Sequence, residues 1–122
     1  MKHRGKVKSG LGEAAMWMGM AKDIFKKKCG IDVFLGTLNI ELEHEVILDE
    51  KDIIEPEEYG GNFKVFVCKC TVCDEESYII RTEKNNKLGG DHPLNIVEVV
   101  SGVNFREKYR LKDDDEVFVD IY

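Results

Sequence analysis

The segment GTLNIEL, residues 36 to 42, sets a hydroxyl and an amide oxygen two residues apart. In a strand, period-two geometry puts Thr37, Asn39 and Glu41 on one face and Leu38, Ile40 and Leu42 on the other. Neutral oxygens on one side can donate to a hard cation, and they suit a Mg²⁺ ion whose charge is balanced mainly by substrate phosphates. The same pattern also reads as a half-exposed strand with a polar outer face. A second stretch, SGLGEAAMW at residues 9 to 17, removes side chains at Gly10 and Gly12, where a backbone must approach a ligand closely. The helix expected to follow would point unsatisfied N–H groups back toward that loop, as in a phosphate cradle. A lone G-x-G before a helix is also simply a tight turn, and the missing Lys-Ser/Thr pair disfavours a Walker-type NTPase.

Three further groups invite chemistry. Glu98 sits inside the apolar run NIVEVV, and a buried carboxylate is costly unless it accepts good hydrogen bonds. Facing a pocket it would accept from ligand N–H or O–H groups; facing water on an edge strand it would be ordinary. Arg106, just past the Ser101-Gly102 turn, is a candidate phosphate or base contact, or a surface ion-pair group. The cluster CKCTVC places Cys68 and Cys70 on one strand face, with Cys73 in the following turn. A structural zinc there would need a fourth ligand from Cys29, His92, His44 or His3, and without a second C-x-x-C pair plain thiols are the preferred reading.

These residues need elements to hold them. GKVKSG reads as a short strand. Met16, Met20 and Ile24, with Trp17, Ala21 and Phe25 beside them, then mark one helix with an apolar stripe. Lys26, Lys27 and Lys28 fall in its last turn, where cations suit the helix dipole, and Gly30 can take a left-handed cap. Beyond it lie the expected strands FLGTLNIEL, HEVIL, NFKVFVCKC, SYIIRT, NIVEVV and EVFVDIY, with NFREKY as a single helical turn before the last. The expected architecture is mainly β: a small barrel of six to eight strands, one main helix and a short C-terminal helical turn.

Composition narrows the function. The 122 residues suit one domain, 1–122, and the apolar content of 43% is that of a folded chain. A formal charge of −6 argues against a nucleic-acid or anionic-membrane partner, although MKHRGKVK gathers five basic and imidazole side chains that could attract an anion. No apolar run reaches the length of a membrane span, and no signal peptide follows the basic start, so a cytoplasmic location with reduced thiols is expected.

Taken in order, S-G-L-G-E, a helix, G-T-L-N, H-P-x-x-I-x-E, V-N-F-R-E and L-K-D-x-D-x-V resemble the archaeal CTP-dependent riboflavin kinases, from about Gly5 to the C-terminus with a weak middle from about Asp49 to Lys87. The resemblance implies a cradle-loop β-barrel that transfers the γ-phosphate of CTP to the ribityl 5′-hydroxyl of riboflavin, giving FMN and CDP. It implies a nucleotide loop of Gly10, Leu11, Gly12, Glu13, Ala14 and Ala15, completed by Val103, Asn104, Phe105 and Arg106. Thr37 and Asn39 would hold Mg²⁺, and Glu98 would contact the flavin. The implied partners are riboflavin and CTP, with no nucleic acid and no membrane, and the expected state is a monomer. Phosphoryl transfer depends mostly on positioning and charge stabilisation, and no residue is identified as a general base.

Three departures stand out. Ala14 and Ala15 remove any charge that could meet phosphate where the family often carries a glycine and a varied, sometimes basic, residue. A family threonine that contacts the flavin aligns at about Gly90, so that hydrogen bond would be absent or supplied by Asp91. Asp113-Asp114-Asp115 stands where the family favours a central glycine, which bears on turn geometry. The first two motivate an alternative, a flavin- or nucleotide-binding barrel without catalysis. A DNA-binding regulator is a third reading, disfavoured by the net charge and by the absence of a helix-turn-helix segment.

Overall fold

A computed structural model describes residues 2–9, 14–34, 37–48, 52–60, 64–83 and 94–122, with residues 14–21 described in backbone only. The strands are β1 (Lys2–Lys8), β2 (Leu38–Leu42), β3 (Asp52–Ile54), β4 (Val65–Val72), β5 (Glu75–Thr82), β6 (Ile96–Ser101) and β7 (Glu116–Ile121). Their order is β3-β4-β5-β6-β2-β1-β7, and β7 also pairs with β4. All pairings are antiparallel, so β4, β5, β6, β2, β1 and β7 close into a six-stranded barrel. The seventh strand shares an edge of β4 with β7: β3 takes Val65 to Val67, and β7 takes Cys70 to Val72. Closure satisfies backbone groups that an open sheet would leave unpaired. Among the described residues three helices accompany the barrel: α1 (Ala14–Cys29), α2 (Pro56–Tyr59) and α3 (Phe105–Lys108). The expected barrel, main helix and C-terminal helical turn are therefore present.

Two apolar cores follow from two sequence patterns. In β1, β2 and β7 apolar and charged residues alternate, so Val7, Leu38, Ile40, Leu42, Val117 and Val119 fill the barrel while the charged side chains face out. β4, β5 and β6 are apolar on both faces. Their inner residues, such as Phe66, Ile79 and Val99, complete the interior; Val67, Tyr78, Ile80 and Val100 face outward under Phe25 of α1 and Val33. The helix thus covers one side of the barrel, and Gly30, at φ 76°, ends it with its N–H donating to the Lys26 carbonyl. Lys26 pairs with Asp32 and Lys28 with Glu58, so these lysines are surface ion-pair groups.

One expected strand does not form. HEVIL is irregular, because Val46 makes single bonds rather than a ladder: its N–H donates to the Leu94 carbonyl and its own carbonyl accepts from Arg81. Arg81 is 6% exposed and also donates to the carbonyls of Leu94 and Ile96, each at 3.1 Å, so it closes one end of the barrel interior. Burial pulls its guanidinium below its ordinary value. The strand formed instead on this side is the short β3.

Candidate functional site

The antiparallel registers bring the C-terminal ends of β1, β4 and β6 and the N-terminal ends of β2, β5 and β7 to the rim opposite Arg81. A cleft of about 200 Å³ opens there, lined in part by Phe34, Thr37, Val103, Asn104, Phe105 and Arg106. Each wall has a local cause. The Phe34 N–H donates to the Ser101 carbonyl at 2.8 Å, which carries the chain leading into β2 alongside the end of β6. Asn104 caps α3 by accepting from the Glu107 N–H at 3.3 Å, and Phe105 is buried in the barrel core, so the single turn is pinned at its start. Thr37 and the segment from Val103 to Arg106, far apart in sequence, therefore share one cleft.

Asn39 lies two residues farther along β2, outside that lining. Its cross-strand partners are Lys8 on β1 and Glu98 on β6, so the three residues form one outward-facing row. Asn39 and Glu98 are both half-buried, and the other partner of Glu98 is the buried Ile80. An amide and a carboxylate thus stand side by side next to an apolar surface, the amide two residues along the chain from Thr37. The hydroxyl of Thr37 and the amide oxygen of Asn39 are oxygen donors of the kind a hard divalent cation takes. Ala14 and Ala15 open α1, described in backbone only. Gly10, Leu11, Gly12, Glu13 and Gly90 lie outside the described residues.

Four residues at this rim escaped the sequence reading. Arg106 donates through Nη2 to the Lys8 carbonyl at 3.2 Å and to Asp113 Oδ1 at 2.7 Å. Asp113 Oδ2 accepts from Ser9 Oγ at 2.6 Å, and Lys8 Nζ sits 2.6 Å from Asp114 Oδ1. The Ser9 hydroxyl and the Arg106 guanidinium hold the Asp113 carboxyl below the usual range, and Asp114 raises the Lys8 ammonium. Asp114 has φ 73°, the left-handed backbone that a central glycine would take without strain and that Asp tolerates. A signal was available in the sequence, since an acidic run and a basic strand invite pairing.

The cysteines lie elsewhere. Cys70 is buried in the barrel core, where loss of solvent, with Cys68 adding to it, pushes its thiol up to about 12. Cys73 occupies the first position of a two-residue turn between β4 and β5, at φ 52°, followed by Asp74 at φ 62°. Among the described residues, no three His, Cys, Asp or Glu side chains gather in a metal-binding group. No helix among them is long and apolar enough to cross a membrane.

Comparison with known proteins bears directly on this rim. The family model CTP-dep_RFKase, described as a domain of unknown function, DUF120, matches residues 7–121. The chain is 34% identical to a riboflavin kinase of Sulfurisphaera tokodaii, over 98% of this chain and 93% of that protein. It is 32% identical to a riboflavin kinase of Staphylothermus marinus, over 100% of this chain and 92% of that protein. It is 31% identical to a riboflavin kinase of Saccharolobus solfataricus, over 98% and 73% respectively. The match runs from Val7, near the end of β1, to the end of β7, and the chain belongs to the CTP-dependent riboflavin kinase family.

Proposed function

We propose that this protein is a CTP-dependent riboflavin kinase, which moves the γ-phosphate of CTP to the ribityl 5′-hydroxyl of riboflavin and releases FMN and CDP. The observation that carries the reading is the convergence of Thr37 with Val103, Asn104, Phe105 and Arg106 around one cleft, at the rim where β1 leads into the glycine-containing stretch. In this reading Gly10 to Ala15 and Val103 to Arg106 bind the nucleotide, and Glu98 and Gly90 meet the flavin. Thr37 and Asn39 hold Mg²⁺, which when bound neutralises charge on the phosphate oxygens.

The chain's own residues then orient rather than react. The riboflavin hydroxyl oxygen forms the new P–O bond as the bond between the γ-phosphorus and the β–γ bridging oxygen breaks. The hydroxyl proton passes to water. A loose transition state places little demand on a general base, so the work falls to alignment and to cations at the phosphates. Glu98, beside the apolar Ile80, suits a flavin that has both an apolar ring system and N–H or O–H donors. Arg106 suits phosphate, to which a guanidinium donates in a fork.

The same reading takes the substrates to be the only partners and the working unit to be a monomer, favoured by a closed barrel with few unpaired strand edges. It places the reaction in the cytoplasm, where the four cysteines would stay reduced. The test is a chromatographic assay of riboflavin incubated with the protein, Mg²⁺ and, separately, CTP, ATP, GTP or UTP. FMN should appear chiefly with CTP. No FMN with any of the four would refute the kinase and favour a barrel that binds without turnover, as Ala14, Ala15 and Gly90 would suit.

A further inference from the structure

We propose that Asp113 is a positioning residue of the nucleotide site, holding Arg106 and the stem of the glycine-containing stretch in one register; the inference rests on the kinase reading above. Its carboxylate joins the end of β1, 104 residues away in sequence, to α3, seven residues away. Oδ2 accepts from Ser9, the residue just after β1, and Oδ1 accepts from Arg106 on α3, while Asp113 itself belongs to the turn before β7. Arg106 Nη2 also donates to the Lys8 carbonyl, so the guanidinium is tied to β1 twice, once directly and once through Asp113.

Asp113 acts on one side of the guanidinium only. Both Arg106 bonds use Nη2, so among the described residues Nε and Nη1 remain to donate, on a side chain that lines the cleft. An arginine fixed at one nitrogen and open at the others is prepared for a phosphate without first losing rotamer freedom. The target is therefore the polyphosphate of the nucleotide and not the flavin.

Turn geometry is secured without this carboxylate. The Val7 N–H donates to the Asp115 carbonyl at 2.9 Å, the Asp114 N–H donates to the Val7 carbonyl at 2.7 Å, and Asp115 Oδ2 accepts from the Lys112 N–H at 2.8 Å. Asp113 can be replaced while those bonds persist. Its two side-chain contacts are then what the replacement removes.

The experiment uses the full chain and compares Asp113→Ala, Asp113→Asn and Ser9→Ala with the unsubstituted protein. CDP binding is read by calorimetry, riboflavin binding by quenching of flavin fluorescence, and turnover as separate kcat and KM for CTP. Asp113→Ala should weaken CDP binding and raise the CTP KM by about tenfold, short of the roughly 100-fold that misplacing a reacting group costs. Riboflavin affinity should hold, and kcat should fall less than KM rises. Asp113→Asn, which keeps an acceptor oxygen, should recover part of the loss, and Ser9→Ala, which cuts one arm, should show a smaller loss of the same kind. Undiminished CDP binding by Asp113→Ala, or equal loss of CDP and riboflavin, would overturn the inference. If Asp113→Ala does not fold, full CDP affinity in both Ser9→Ala and Asp113→Asn overturns it instead. A failure of the kinase reading looks different: the unsubstituted protein itself would bind no cytidine nucleotide, and both proposals would fall together.

Discussion

Asn39 and Ile40 are neighbours in β2 that face opposite ways, and replacing each by alanine separates site from scaffold. Asn39 is half-buried on the outward row with Lys8 and Glu98, whereas Ile40 is 0% exposed inside the barrel. Removing the Asn39 amide leaves no apolar cavity, so the stability cost should stay within about 1 kcal/mol. If that oxygen is one of two protein ligands to the ion, its loss should lower kcat/KM by about 100-fold, or ~2.7 kcal/mol at 1.36 kcal/mol per decade. Ile40→Ala reverses the balance. It empties part of a packed core and should cost about 2–5 kcal/mol, a large share of a typical 5–15 kcal/mol. The fraction that remains folded should still turn over, because the outward row is intact. Urea denaturation gives the stabilities, and FMN formation with CTP and Mg²⁺, corrected for the folded fraction, gives the activities. Unchanged turnover in Asn39→Ala would refute the ligand assignment. A matched collapse of its stability and activity would make Asn39 a structural residue.

Gly5 faces the barrel interior, and a Cβ there would lie 2.7 Å from Ile40 Cγ2, 2.8 Å from the Glu41 carbonyl oxygen and 3.0 Å from Leu42 Cδ2. Backbone cannot rotate aside, so Gly5→Ala should cost about 1–3 kcal/mol and lower Tm by roughly 5 to 10 °C; an unchanged Tm in calorimetry would contradict the packing described. For Cys70 the sign follows from burial: its folded value, about 12, exceeds the ordinary 9.0, so its contribution to stability is complete below pH 9 and is lost as pH rises toward 12. At pH 8 iodoacetamide should leave Cys70 unmodified in the folded protein and alkylate it in urea, as read by peptide mass spectrometry. Equal labelling in both states would place that thiol outside the core.

The barrel was legible because its physics is local. Alternation in KHRGKVK and EVFVDI marks strands with one wet face, and apolar runs such as VFVC in β4 and YII in β5 mark strands buried twice, once inside and once under α1. Gly30 as a left-handed terminus is an equally local signal, and it is used. HEVIL misled because its alternation is real, with Val46 and Leu48 turned inward, but its backbone partners are Arg81 and Leu94 rather than a strand. Periodicity reports which face is buried and is silent about who accepts the hydrogen bonds. The same limit hid the contacts of Ser9, Lys8, Asp113 and Asp114, which depend on barrel closure bringing residues about a hundred positions apart to one rim.

Closure also bears on where positive charge for the phosphates can come from. Ala14 and Ala15 offer none, and the cations described at the rim are already engaged: Lys8 by Asp114, Arg106 by Asp113 and Lys108 by Glu75. These pairs are therefore close to neutral at rest, in a chain whose formal charge is −6. A polyphosphate approaching such a surface gains little from long-range attraction, since exposed paired charges largely cancel beyond a Debye length of about 10 Å. In the kinase reading, binding would rest on contacts made at close range, among them the remaining donors of Arg106 and an ion that Thr37 and Asn39 would hold. In that arrangement the acidic turn does more than neutralise. By fixing Arg106 at one nitrogen it gives up bulk electrostatic pull in exchange for a guanidinium already aimed into the cleft, which is the kind of preorganisation that phosphoryl transfer rewards.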